Sequence, residues 1–266
     1  MRYTWLTDTV TPNLDRALHY TLLWGLDAVE LRTLGSGQDR VPFVNEEKLR
    51  RRLLDHDLGV SAVVPGLFEG PLSDRVTWLN DVAAFPEVAQ FCTRIRCRTV
   101  LVSAFAEEAA PVPWSERADP LRRLGDVAAT HNLTCAVLNE PDMAVRTGAD
   151  LAALLAEVDH PNVHAAWQPA TSVAAGEADA AAVVDMLCPS LTYVRCADAD
   201  AEGQLVPFGE GVVDWDTIFA QLHHGAYAGP LSLLVQGTPV STWGVRAATR
   251  LIKLDRAQRT AARPAT

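Results

Sequence analysis

Two rhythms of apolar and polar positions alternate along this chain. Short runs rich in β-branched and aliphatic residues fall at Arg2–Thr7, Asp27–Arg32, Val60–Val64, Thr99–Ser103, Leu133–Leu138, Val163–Gln168, Leu191–Cys196 and Leu231–Gln236. Between them lie longer stretches whose apolar residues recur with a helical period, at about 13–24, 46–57, 74–96, 116–130, 148–158, 177–187, 215–224 and 241–258. Strand followed by helix, eight times over, predicts parallel strands joined by helical crossovers. Local signals agree with the frame. Thr11-Pro12 offers a capping hydroxyl and a proline at the start of the first helix. Gly25, Gly59 and Gly225 stand where three helices are expected to close, and Asp214 stands where the seventh should be capped. Pro86 predicts a kink or a break in the third helical stretch.

The length of 266 residues suits one (β/α)8 barrel, which typically takes roughly 250. No linker divides the chain, so a single α/β barrel domain is expected over 1–258, with residues 259–266 as a flexible tail. An open, doubly wound sheet is the competing arrangement. Against it, no Gly-x-Gly-x-x-Gly follows the first strand. The formal net charge of −10 is opposite to that of proteins that live on phosphate contacts, and argues against nucleic acid or an anionic membrane surface as partner. The opening residues Met1–Trp5 carry no long apolar stretch, and no run of about 18 apolar residues occurs. The five cysteines, Cys92, Cys97, Cys135, Cys188 and Cys196, form no Cys-x-x-Cys pair and sit largely in apolar runs. They read as reduced core residues of a cytoplasmic protein.

In such a barrel the reactive groups gather at the carboxyl ends of the strands and in the loops that follow. Those ends carry Asp8, Glu30, Arg32, Ser103, Leu138 to Glu140, Gln168, Arg195, Asp198, Leu234 and Gln236, with Glu210 in the loop after the seventh strand. None of the seven histidines falls at a carboxyl end. A metal site built on imidazole is therefore not expected, and no cofactor is predicted.

Four stretches carry a family resemblance: Trp24–Arg32 (WGLDAVELR), Val137–Thr171 with its Asn139-Glu140-Pro141 turn and Trp167-Gln168-Pro169, Tyr193–Leu222 with Gly209-Glu210-Gly211 leading to Trp215, and Tyr227–Gln236 (YAGPLSLLVQ). Together they resemble the xylose isomerase-like sugar phosphate isomerases and epimerases. The resemblance implies a TIM barrel, with Glu30 at its usual place. It also implies a divalent metal held by Glu, Asp, His and Glu at the ends of strands five to eight. Matched motif by motif, those four positions hold Leu138, Gln168, Arg195 and Leu234. Two aliphatic side chains, an amide and a guanidinium are no ligand set for a hard cation, so the family's metal is expected to be missing.

What survives is polar. Arg195 is the candidate to bind an anionic or carbonyl oxygen, and Glu140 is the candidate base, on the inward face two residues beyond Leu138. Gln168 and Gln236 are expected to flank Arg195 and read hydroxyls. Glu30, Asp198 and Glu210 are expected around the rim as further substrate-binding groups. The competing reading of Arg195 is an internal ion pair with Glu140 or Glu30; that of Glu210 and Asp198 is a tie for their loop. Three functions remain: metal-independent isomerisation or epimerisation of a small sugar-like molecule, a non-catalytic barrel that binds such a ligand or a protein, and a DNA-repair endonuclease on the same barrel. The acidic charge and the missing ligands weigh against the last. Whether the protein catalyses, and whether it self-associates as a homo-oligomer, stay open at this level.

Overall fold

The computed structural model describes residues 1–261 apart from Ser36 and Gln38. Eight strands form one sheet: β1 (Arg2–Trp5), β2 (Ala28–Leu31), β3 (Gly59–Val63), β4 (Thr99–Val102), β5 (Thr134–Leu138), β6 (Val163–Trp167), β7 (Leu191–Cys196) and β8 (Pro230–Leu233). Neighbours are parallel, in the order β1-β8-β7-β6-β5-β4-β3-β2. The two ends of this sheet meet. Leu6 forms a parallel bridge to Glu30, and Asp27 N–H donates to the Tyr3 carbonyl at 2.8 Å. The result is the TIM barrel that the alternation predicts.

The strand pleat sorts the core into two parts. Val100, Val102, Cys135, Val137, Ala165, Trp167, Val194 and Cys196 belong to the large core shared with the helices. Their neighbours Leu101, Ala136, Leu138, Ala166 and Tyr193 join Ala62 in a small separate cluster built from strand residues alone, the barrel interior. Three of its six members are alanines. That sparse filling leaves volume for the long side chains of Tyr193 and Arg195.

The surrounding helices are α1 (Leu14–Leu23), α2 (Glu46–Asp55), α3 (Arg75–Ile95), α4 (Trp114–Thr130), α5 (Gly148–Val158), α6 (Pro169–Ala174), α7 (Ala180–Leu187), α8 (Trp215–His224) and α9 (Val240–Ala261). Asp214 caps α8 as expected, accepting from Thr217 N–H at 3.1 Å. Gly25, at φ +69°, follows the C-cap of α1 as expected.

Other local expectations need correction. Asn13, not Thr11, caps α1, accepting from Arg16 N–H at 3.0 Å. The Thr11 hydroxyl acts earlier, accepting from Asn13 N–H at 3.2 Å. α3 runs unbroken through Pro86. A proline in a helix costs about 3 kcal/mol, whereas burying a phenylalanine contributes about 1.5–3 kcal/mol. Phe85, Val88, Phe91 and Cys92 are all buried on this segment, so packing wins. Gly59 opens β3, and Asp57 takes the left-handed turn after α2. Gly225 has φ −77°. It is needed for space, because a Cβ there would lie 2.1 Å from Cys188 Sγ. The short α6 occupies what the pattern leaves as loop. α9 extends to Ala261, into the segment expected as a tail, and residues 262–266 lie outside the described residues.

Candidate functional site

Register sets the heights of the inward side chains. Leu138 pairs with Ala166, and Ala166 with Tyr193. Two residues on along each strand, Glu140, Gln168 and Arg195 therefore stand one pleat nearer the carboxyl-end mouth. Arg195 in turn pairs with Ser232, and Ser232 with Thr4.

The Arg195 guanidinium makes an ion pair across the barrel with Glu30 Oε1, and the two side chains are only 5% and 0% exposed. Glu30 Oε2 accepts from the Tyr193 hydroxyl at 3.1 Å and from the Ser232 hydroxyl. A chain of hydroxyls continues from there: Tyr193 to Ser61 at 3.0 Å and Ser61 to Thr4 at 2.9 Å. A buried ion pair is tolerable only when its remaining polar atoms are satisfied, and this network satisfies both carboxylate oxygens. Burial pulls the Arg195 guanidinium down, but Glu30 and then Glu140 outweigh it and hold it above its ordinary value. Burial, reinforced by Glu30, pushes the Tyr193 hydroxyl well up, so it stays a neutral donor. Arg195 Nε is buried and has no hydrogen-bond partner among the described residues.

Glu140 is the second residue of the loop after β5. Its Oε2 accepts from the Ser103 hydroxyl at 2.6 Å, and the residue is half-buried. Arg195 and Glu140 are thus electrostatic neighbours at the mouth, while the direct partner of Arg195 is Glu30.

The other expected site residues take different places. Glu30 is not on the rim but fully buried beneath Arg195, because a cation introduced inside the barrel requires a counter-ion. Gln168 turns its amide to Thr171 Oγ1 at 2.7 Å, within its own turn. Asp198 is buried, and its carboxylate takes four donors: Ala199 N–H at 3.0 Å, Gly209 N–H at 2.8 Å, Val213 N–H at 3.2 Å and Trp215 Nε1 at 3.2 Å. That geometry ties the Gly209–Trp215 loop down. Glu210 is exposed and Gln236 half-buried, and neither side chain is brought to Arg195 by a hydrogen bond among the described residues. Ser103 is among the strand-end groups that the sequence offers, whereas Ser61, Tyr193 and Ser232 are not. The two-residue spacing of Tyr193 from Arg195, and of Ser232 from Leu234, was the available signal.

The four positions matched to metal ligands do not fit a divalent ion. Leu138 lies in the apolar interior cluster, Leu234 is buried, Gln168 is engaged with Thr171 and Arg195 is a cation. Among the described residues no group of three or more His, Cys, Asp or Glu is arranged to hold a metal.

The three basic residues in the loops that follow the strands are each engaged. Arg32 pairs with Asp8 at 2.8 Å, Arg40 with Glu69 and Arg146 with Glu107 at 3.3 Å. No helix among the described residues is long and apolar enough to cross a membrane.

Comparison with known proteins places this geometry. The model of the xylose isomerase-like TIM barrel family matches residues 19–252. No curated protein matches the chain. Among solved structures, an L-ribulose 3-epimerase superposes with a TM-score of 0.82 at 18% identity, over 98% of this chain and 96% of that one. A D-allulose 3-epimerase from Methylomonas sp., in complex with D-allulose, gives 0.78 at 14% identity, over 95% and 96%. The IOLI protein with a bound zinc atom gives 0.80 at 17% identity, over the whole of both chains. At these identities the likeness is one of fold.

Proposed function

The chain belongs to the xylose isomerase-like TIM barrel family, and on that premise we propose that its barrel mouth binds a small polyhydroxylated, sugar-like molecule without a divalent metal. The observation that carries this reading is Arg195 Nε, a buried donor with no partner, one pleat above the apolar interior and beside Glu140. Leaving a buried donor unpaired costs about 1–3 kcal/mol, and a ligand oxygen at Nε removes that cost. Glu140 adds an acceptor for a sugar hydroxyl, held in place by Ser103. Each basic loop residue is already committed to a carboxylate. The mouth therefore suits an unphosphorylated polyol better than a sugar phosphate.

A second reading is supported by the neighbouring base and cation. In aldose–ketose exchange Glu140 would take the carbon-bound proton, Arg195 would stabilise the enediolate oxygen, the same carboxyl would return the proton to the adjacent carbon, and the hydroxyl proton on the oxygen that becomes the new carbonyl would pass to the former carbonyl oxygen. One base suffices and no oxidant is consumed. The test is calorimetric titration with D-allulose, D-fructose and D-glucose in EDTA, followed by proton NMR of each sugar with the protein in deuterium oxide. Metal-free binding that Glu140→Gln weakens supports the site. Deuterium entering the sugar beside its carbonyl selects isomerisation, and binding without exchange selects a binding barrel. Binding that requires added Mn2+ or Mg2+, or no binding of any of the three sugars, overturns the proposal.

A further inference from the structure

A second pair of incompletely satisfied charges lies outside the barrel interior, where the loop after β4 enters α4. Arg117, on the first turns of α4, is 4% exposed. One guanidinium nitrogen donates to the Val112 carbonyl at 2.6 Å, and the group sits 5.5 Å from the centroid of the Trp114 ring. Its Nε is buried without a partner. No carboxylate lies within ion-pair distance of it among the described residues, so a buried guanidinium stands without a counter-ion. Burial accordingly pulls it below its ordinary value, although Glu108 and Glu116 oppose the shift.

Glu108 is the complementary half. One of its oxygens accepts from Ser73 N–H at 3.3 Å, and the other is buried without a partner. The Ser73 hydrogen bond holds this carboxyl below its usual range, so it is ionised at neutral pH. Both side chains line one cavity of about 310 Å³, together with Glu107, Val112, Trp114 and Ala144. Glu107 is engaged with Arg146. The cavity thus has a cation and an anion that do not touch, each with a buried atom unused, beside an aromatic ring. A buried charge such as that of Arg117 is destabilising unless something pairs with it, while Glu108, half-exposed, presents its unused oxygen to the same cavity.

We propose that this cavity is a second ligand site, taking a small zwitterion of the α-amino acid type, with its carboxylate on Arg117 and its ammonium on Glu108. A simple anion would satisfy only Arg117, and a simple amine only Glu108. One molecule carrying both charges close together satisfies both, and charge-assisted hydrogen bonds are the stronger kind. This site is separate from Arg195 and Glu140, and the inference stands or falls independently of the sugar reading.

The probes are L-alanine, propionate and ethylamine, titrated into the full-length protein by calorimetry. Proton–nitrogen NMR spectra locate the response. The expected result is saturable binding of L-alanine, with shifts at Ser73, Glu108 and Arg117. Propionate and ethylamine should each bind at least about tenfold more weakly, which is about 1.4 kcal/mol. Glu108→Gln, a change on a half-exposed loop, should weaken L-alanine at least about tenfold and leave propionate unchanged. Arg117→Lys keeps the charge and tests the guanidinium without emptying the helix face. Propionate binding as tightly as L-alanine would overturn the proposal in favour of an anion site. Binding of none of the three, or shifts confined to other residues, would overturn it in favour of a water-bridged structural pair.

Discussion

At the scale of single residues, Arg195 and Glu30 decide how the barrel interior holds together. Both charges are almost wholly withdrawn from solvent, with side chains 5% and 0% exposed, and each depends on the other. Removing one partner of a buried ion pair typically costs about 3–5 kcal/mol, because the remaining charge is stranded. We therefore expect Arg195→Gln and Glu30→Gln each to lower stability by about that amount in urea denaturation. The double variant should recover much of the loss, giving a coupling energy well above the few tenths expected of independent sites. Additive losses would mean that the two groups do not meet. This partner choice was only half legible in the sequence. The motif resemblance put Arg195 on the inner face and period-two spacing put Glu140 there, with Glu30 and Glu140 as candidate partners. Which carboxylate it reached depended on the strand-to-strand stagger around the closed barrel, which no local pattern encodes.

At the scale of elements, the loop from Asp198 to Trp215 shows the same division. The Gly209-Glu210-Gly211 segment and Trp215 were visible as a motif, and Asp198 as a strand-end carboxylate. Their mutual contact was not visible, because it spans eleven to seventeen residues of loop with no periodicity. The four donors on Asp198 make it the anchor of this loop. Asp198→Ala should destabilise the protein by at least about 1.5–3 kcal/mol, the contribution of a single hydrogen bond to a charged group. It should also open the loop to limited proteolysis near Gly209. Unchanged stability together with lost ligand binding would reassign Asp198 to the ligand. Pro86 teaches the converse lesson. The local rule that a proline breaks a helix was correct as a propensity. It was overruled by a row of side chains buried against the barrel.

At the scale of the whole molecule, the donor chemistry at four strand ends leads to a prediction about metals. If the mouth works without a divalent ion, the purified protein should carry none in stoichiometric amount by elemental analysis, and EDTA should leave its Tm unchanged. A bound ion present at 100 times its dissociation constant would stabilise by about 2.7 kcal/mol, a loss that a thermal scan detects. About one tightly held ion per chain, or a clear fall in Tm with EDTA, would show that other residues supply ligands. The overall architecture was the most legible level of all. Eight repetitions of a buried strand and an amphipathic helix leave few ways to cover both faces of a parallel sheet, and a chain of 266 residues has the length to close it. The sequence by itself determined the eight βα units and which strand ends face the mouth, since these follow from period and order. Only the tertiary structure decided that Glu30 lies under Arg195, that Asp198 holds a loop, and that Glu108 and Arg117 share a cavity. Those facts depend on the distances between residues far apart in the chain, which closure of the barrel and packing of its loops alone fix.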